Sequence, residues 1–289
     1  MGFLLDGLFY GSLALGILLG RFRPPPVRAG LVIQGTILLL VGSLGFLLGM
    51  QGLLNAPLLV AESALLALAL IAVTASVTEL LGKGRRRNPQ DQPFRWNTLT
   101  LPALILAALA VGYGAGVLFP GTPSAYPMYF EDADLLALLF LVGWDIRLSW
   151  DALRRAAVPI ASAIIGVAVL VPLVSIVVHV PWNEGAALIG AFGWYSLAGP
   201  LIGASLTPTL GLIAFLINFL RENFTMVGAQ AIGQFSGAEG IAACGGATSM
   251  DTTLFFATRF GGKEAGGIAL TTGAVLTLLA PFLLTLLLL

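Results

Sequence analysis

The chain has 289 residues, 58% of them hydrophobic and 10% charged, with no net charge and a mean hydropathy of +0.97. Soluble domains carry about a quarter charged residues, so this composition cannot cover a surface that faces water. The charge balance leaves no basic footprint for nucleic acid, and one cysteine with one histidine excludes a disulfide scaffold, a cysteine zinc cluster and a histidine-rich metal motif.

A helix needs about 20 mostly apolar residues to cross a bilayer. In chain order the apolar runs predict segments over Phe3–Gly20, Ala29–Met50, Pro57–Leu81, Thr98–Phe119, Asp134–Leu148, Ala156–Val178, Gly185–Ser205, Leu210–Gly228, Ile241–Phe260 and Ala265–Leu289. Backbone polar groups must be satisfied inside lipid, so the fold class is an all-α polytopic membrane protein. The first run is read as a span rather than a cleaved signal, because it lacks a basic leader, holds Asp6 and is followed by its arginines. Segments seven and nine are rich in glycine and polar residues, giving eight full spans plus two broken or re-entrant helices, or ten crossings if both traverse.

Basic residues cluster after segments one (Arg21, Arg23, Arg28), three (Lys83, Arg85, Arg86, Arg87, Arg95), five (Arg147, Arg154, Arg155) and nine (Arg259, Lys263). Lysine and arginine accumulate on the cytoplasmic side, so these loops predict a single topology with both termini outside. GILLG (Gly16–Gly20) resembles GYGAG (Gly112–Gly116), and LLLVGSLGFLLG (Leu38–Gly49) resembles LLFLVGWDIRL (Leu138–Leu148). Each pair skips three segments, which is the pattern of an inverted repeat. The basic stretch Gly82–Arg95 divides one transmembrane domain into an N-terminal part, 1–96, and a C-terminal part, 97–289, that holds the broken helices.

Ionisable side chains at membrane depth are functional candidates by default. Segment seven reads GAFGWYSLAGPLIG (Gly190–Gly203), too rich in glycine and proline for a continuous helix. Its unwound backbone and Trp194, Tyr195 and Ser196 can serve a ligand, the aromatic rings through cation–π contact; the competing reading is close packing through small residues. Segment nine reads CGGATSMDTT (Cys244–Thr253). Gly245 and Gly246 release the backbone, Thr248 and Ser249 supply oxygens, and Asp251 suits a cation or an exchanged proton, or caps the broken helix. On segment eight Asn218 and Glu222 share a face, four residues apart. Arg221 beside them reads equally well as a structural neutraliser of an acid. Glu62, Glu79 and Asp145 are secondary candidates, the last two near span ends where a solvated charge is ordinary.

AFGWYSLAG (Ala191–Gly199) followed by CGGATSMD (Cys244–Asp251) resembles the GFGWYSLSG and CGATSMD motifs of the lysine exporter family, the LysO type. AFLINFLRE (Ala214–Glu222) is similar to that family's AFFNDLARE stretch, and FLVGWDIRL (Phe140–Leu148) to FLVGIQLRN. The order and spacing agree over most of the chain, with the N-terminal third alike only in outline. The resemblance implies an inner-membrane exporter of L-lysine or a similar cationic amino acid, driven by proton exchange and needing no cofactor. Asp251 stands where the family has an acid, whereas Asn218 stands where the family has an aspartate. Asparagine cannot titrate, so a mechanism with two carboxylates must draw on Glu222 one turn away or on another ion. A sodium-coupled carrier of the same architecture is the alternative. A membrane-embedded enzyme lacks support: there is no paired-aspartate diphosphate motif, no HExxH and no serine–histidine pair. A homodimer is compatible with the reading, though no sequence signal points to one.

Overall fold

A computed structural model of the chain describes residues 2–23, 29–50, 56–82, 100–119, 133–134, 136–137, 140–141, 144, 150–250 and 252–289. The helices in order are α1 (Gly2–Phe22), α2 (Ala29–Met50), α3 (Ala56–Leu81), α4 (Thr100–Leu118), α5 (Trp150–Val178), α6 (Trp182–Ile189), α7 (Tyr195–Ser205), α8 (Pro208–Val227), α9 (Ala229–Gly245), a 3-10 turn (Gly246–Met250), and α10 (Leu254–Leu288). The described residues between 133 and 144 are also helical, and no strand occurs among the described residues. Among the described residues, four helical stretches are long and apolar enough to cross a membrane: Leu58–Leu81, Leu153–Val178, Pro208–Val227 and Glu264–Leu288. Leu65, Val111 and Ile176 leave 68%, 73% and 71% of their surface uncovered, an apolar exterior suited to lipid rather than water.

The contacts sort into two units that interleave along the chain, one of 1–55, 95–146 and 199–212, the other of 56–94, 147–198 and 213–289. In the first, helices meet through glycine. Side chains added at Gly16 and Gly20 of α1 would collide with the backbone at Phe140 and Trp144, and at Gly112 and Gly116 of α4 with the backbone at Gly42 and Phe46 of α2. The stretches that resemble each other therefore take equivalent partners: GILLG lies against Phe140 and Trp144 of LLFLVGWDIRL, and GYGAG against Gly42 and Phe46 of LLLVGSLGFLLG. The correspondence holds to within about one helical turn. Helices lacking a hydrophobic drive between them associate through such close backbone approach. Ser12 adds a hydrogen bond to Leu136 O (2.6 Å), and the Trp144 indole donates to Arg23 O (2.9 Å).

The second unit assembles α3, α5, α6, α9 and α10 with parts of α7 and α8. Its core joins Ile71 and Ala75 of α3 to Ile232, Ile241 and Ala242 of α9 and to Phe256, Ala257, Phe260 and Ala269 of α10. His179 closes α5 in the left-handed region (φ 60), with Val180 N–H returning to Ser175 O (3.1 Å), as a helix C-terminal cap does.

Two expectations differ from this architecture. The link expected between segments eight and nine is helical: α9 begins at Ala229, buries Ile232, Gly233 and Ser236, kinks at Gly237 (φ 73°, ψ −175°) and resumes through the buried Gly240–Gly245, with no continuous apolar run before the kink. Segments nine and ten are not divided at Arg259–Lys263, because α10 runs unbroken from Leu254 to Leu288. The glycine there marks packing rather than a turn, since a Cβ at Gly261 would press on Ala238 of α9 (2.6 Å). Glu264 on this stretch pairs with Arg155 of α5 (2.6 Å). The boundary expected at Gly82–Arg95 lies, beyond Gly82, outside the described residues.

Candidate functional site

Segment seven is interrupted where its glycines predict. α6 stops at Ile189, the chain turns through 190–194, and α7 starts at Tyr195. Phe192 and Gly193 both take positive φ, 54° and 94°. For phenylalanine this is an uncommon conformation that persists only where the surroundings hold it. Phe192 is wholly buried.

The second interruption lies between α9 and α10. Gly246 turns the chain at φ 65° and ψ −124°, and the 3-10 turn carries it through Met250. The two interruptions are joined: Ala247 N–H donates to Phe192 O (2.8 Å). The approach leaves no room for a side chain. A Cβ at Gly246 would collide with Phe192 O, and one at Gly193 would lie 2.9 Å from Gly245 O. Each interruption thus supplies a hydrogen-bonding group that the other lacks, which a buried backbone requires.

Helix α8 secures both interruptions with its polar side chains. Asn218, fully buried, accepts from Gly193 N–H (2.8 Å) and donates to Leu188 O and Ala214 O (both 2.8 Å). Its amide bridges the end of α6 and the turn that follows. An aspartate here could keep the bond from Gly193 but could not donate both others. Arg221, also fully buried, donates from Nε to Cys244 O (2.8 Å) and from Nη2 to Ala243 O (3.0 Å). It caps the carbonyl end of α9, where a cation is favoured. Glu222, 2% exposed, accepts a short hydrogen bond from the Thr252 hydroxyl. One helical turn of α8 therefore reaches the first interruption, the end of α9 and Thr252, two residues past the 3-10 turn.

The remaining candidates fall around this junction or away from it. Thr248 donates to Gly245 O (3.0 Å), and the Ser249 hydroxyl lies within reach of Gly246 O (2.7 Å) and Ala269 O (2.8 Å), so both brace the second turn. Gly245 and Ser196 are buried. Trp194 and Tyr195 are 7% and 4% exposed. Tyr195 meets Phe215 and Phe219 edge-on at 5.6 and 5.4 Å. Glu62 and Glu79 lie half-buried on α3. Asp251 and Asp145 lie outside the described residues. No group of three or more His, Cys, Asp or Glu side chains placed to hold a metal occurs among the described residues.

Sequence reasoning found the two interruptions but not their bond to each other, nor the carbonyls that Arg221 caps. The adjacent Gly245–Gly246 was the available signal, since paired glycines inside an apolar stretch often mark a close backbone approach.

Two discontinuous helices joined at buried backbone, in a chain of apolar helices, are an arrangement on which many membrane transporter folds are built. The family model described as lysine exporter LysO matches residues 106–288, and the chain belongs to that family. It is 33% identical over 156 residues to "Lysine exporter LysO" of Escherichia coli (strain K12), a match covering 52% of each protein. It is 29% identical over 196 residues to the "Putative lysine exporter" of Haemophilus influenzae, covering 62% of this chain and 94% of that one. The chain thus spans about half the length of the first relative. No solved structure matches it.

Proposed function

We propose that the protein is a secondary active transporter that exports L-lysine, and related cationic amino acids, from the cytoplasm by proton antiport. The observation that carries the reading is Glu222: a carboxylate 2% exposed, on an apolar helix, bonded to Thr252 where two broken helices interlock. An ionised carboxylate at membrane depth is costly, about 3 kcal/mol or more, so it favours a bound cation or a proton. In this reading Asp251 with Glu222 holds either the substrate's cation or a proton, never both. That competition couples lysine leaving to a proton entering. Ser196, Thr248 and Ser249 offer polar groups to the amino acid head, Asn218 holds the first turn in place, and Trp194 stands beside it. The protein sits in the inner membrane with both termini outside, an orientation that rests on the basic loops.

Purified protein in proteoliposomes should exchange labelled lysine in counterflow, with arginine and ornithine as competitors, and an imposed proton gradient should drive net flux. Asp251→Asn should reduce proton-driven lysine flux to that of empty vesicles; undiminished flux would sink the carboxylate mechanism. Flux that follows a sodium gradient and ignores the proton gradient would establish the sodium-coupled alternative.

A further inference from the structure

Arg221 carries a full positive charge at zero exposure, yet its described contacts are with neutral carbonyls. Nε and Nη2 grip Cys244 O and Ala243 O along one edge of the guanidinium, which fixes its plane. Nη1 has no hydrogen-bond partner among the described residues. A guanidinium has five N–H groups in a rigid fork. Two are used, leaving both on Nη1 and the second on Nη2, and these point from the end of the fork in the spacing that a carboxylate accepts with two oxygens. Capping α9 accounts for Nε and Nη2 and leaves the open end unexplained. A buried donor left without a partner is destabilising, and more so when it is charged.

The position of this open end matters. A Cβ at Gly246 would lie 3.2 Å from Nη2, so the glycine that brings the two interruptions together also keeps a side chain at that position off the guanidinium. Glu222 is the next residue on α8, and successive helical residues point about 100° apart. Its carboxylate bonds to Thr252, whereas Arg221 turns to the end of α9. Neighbouring positions on one helix thus hold an anion receptor and a cation receptor aimed in different directions. A cationic amino acid carries both signs, with the carboxylate at one end and the side-chain ammonium at the other.

We propose that the open end of Arg221 receives the α-carboxylate of the transported amino acid and so sets its orientation, ammonium toward the acidic side of the junction. This rests on the transport reading above. It gives the protein a reason to reject diamines: a molecule with the two ammonium groups but no carboxylate leaves Arg221 unpaired and adds a repelling charge.

The test is lysine counterflow in proteoliposomes with the full chain, using unlabelled L-lysine, L-lysinamide and cadaverine as competitors. In the wild-type protein cadaverine and lysinamide should compete about 10- to 100-fold more weakly than lysine, the range of one charged, two-pronged hydrogen bond. Arg221→Lys keeps a charge to cap α9 but loses the fork. It should raise the lysine KM about 10-fold while leaving the cadaverine inhibition constant within about 3-fold, so that discrimination collapses. A parallel loss for lysine and cadaverine would mean Arg221 is a cap alone and would overturn the proposal. If Arg221→Lys does not fold, the wild-type ranking decides, and equal competition by cadaverine and lysine overturns it while leaving lysine transport intact. Absence of any lysine counterflow in the wild-type protein removes the transport reading itself and this inference with it.

Discussion

The first unit and the second solve helix packing in opposite ways. In the first, α1, α2, α4 and the helical residues near 140 approach through glycine, and the partners are main-chain atoms of intact helices. In the second, the helices at the junction are interrupted, and Asn218, Arg221, Glu222, Thr248 and Ser249 take up the groups the interruptions release. A glycine contact between whole helices holds two rods together and leaves every backbone bond in place. An interrupted helix exposes donors and acceptors that must be met one by one by side chains. Membrane chains tolerate the second arrangement only around a buried or wetted cavity, so the contrast separates a framework from a site.

The largest expected effect is at the interlock. Gly246→Ala places a Cβ against Phe192 O at a positive φ, with no flexible atom to yield. It should cost more than about 4 kcal/mol, enough to be diagnostic for one substitution, and is expected as loss of folded protein in size-exclusion profiles. A melting temperature unchanged from the wild type would show that the two interruptions can part without consequence. Asn218→Leu should come next. It leaves Leu188 O and Gly193 N–H without their bonds in the interior, at about 1–3 kcal/mol for each orphaned group. Thermal unfolding in detergent checks the stability, and Asn218→Asp, which retains the acceptor, should fall between leucine and the wild type. The smallest effect is expected in the framework. Gly112→Ala forces α4 off Gly42 of α2, but two whole helices can shift apart by a fraction of an ångström. A cost of about 1–3 kcal/mol with lysine counterflow retained is expected. Loss of flux in a stable Gly112→Ala protein would erase the distinction between framework and site.

Spans were readable because a long apolar run is a local signal. The expected Ala29–Met50 is α2 residue for residue, and α3 starts one residue before the expected Pro57. The interruptions were readable for the same reason, since glycine density at 190–193 and 245–246 is written in consecutive positions. What was not readable depends on partners distant in the chain. Nothing near Arg221 in sequence indicates that its donors end on Ala243 and Cys244. α9 escaped notice because Gln230, Gln234 and Glu239 interrupt its hydrophobicity and Gly237 kinks it midway. Arg259 and Lys263 read as a loop because charge in an apolar chain usually marks the water boundary, and the helix continues through them because hydrogen bonding along α10 is indifferent to side-chain charge. The family model begins at residue 106, which agrees with motifs concentrated in the C-terminal two thirds.

The hydrogen bond from Ala247 to Phe192 has an experimental use. One amide proton is shared by both interruptions, so it can exchange with deuterium only when they come apart. Its protection, read site by site, would time the opening of this junction in the absence of any substrate. A ligand that bridges the junction should slow that exchange, and one that separates the two turns should hasten it.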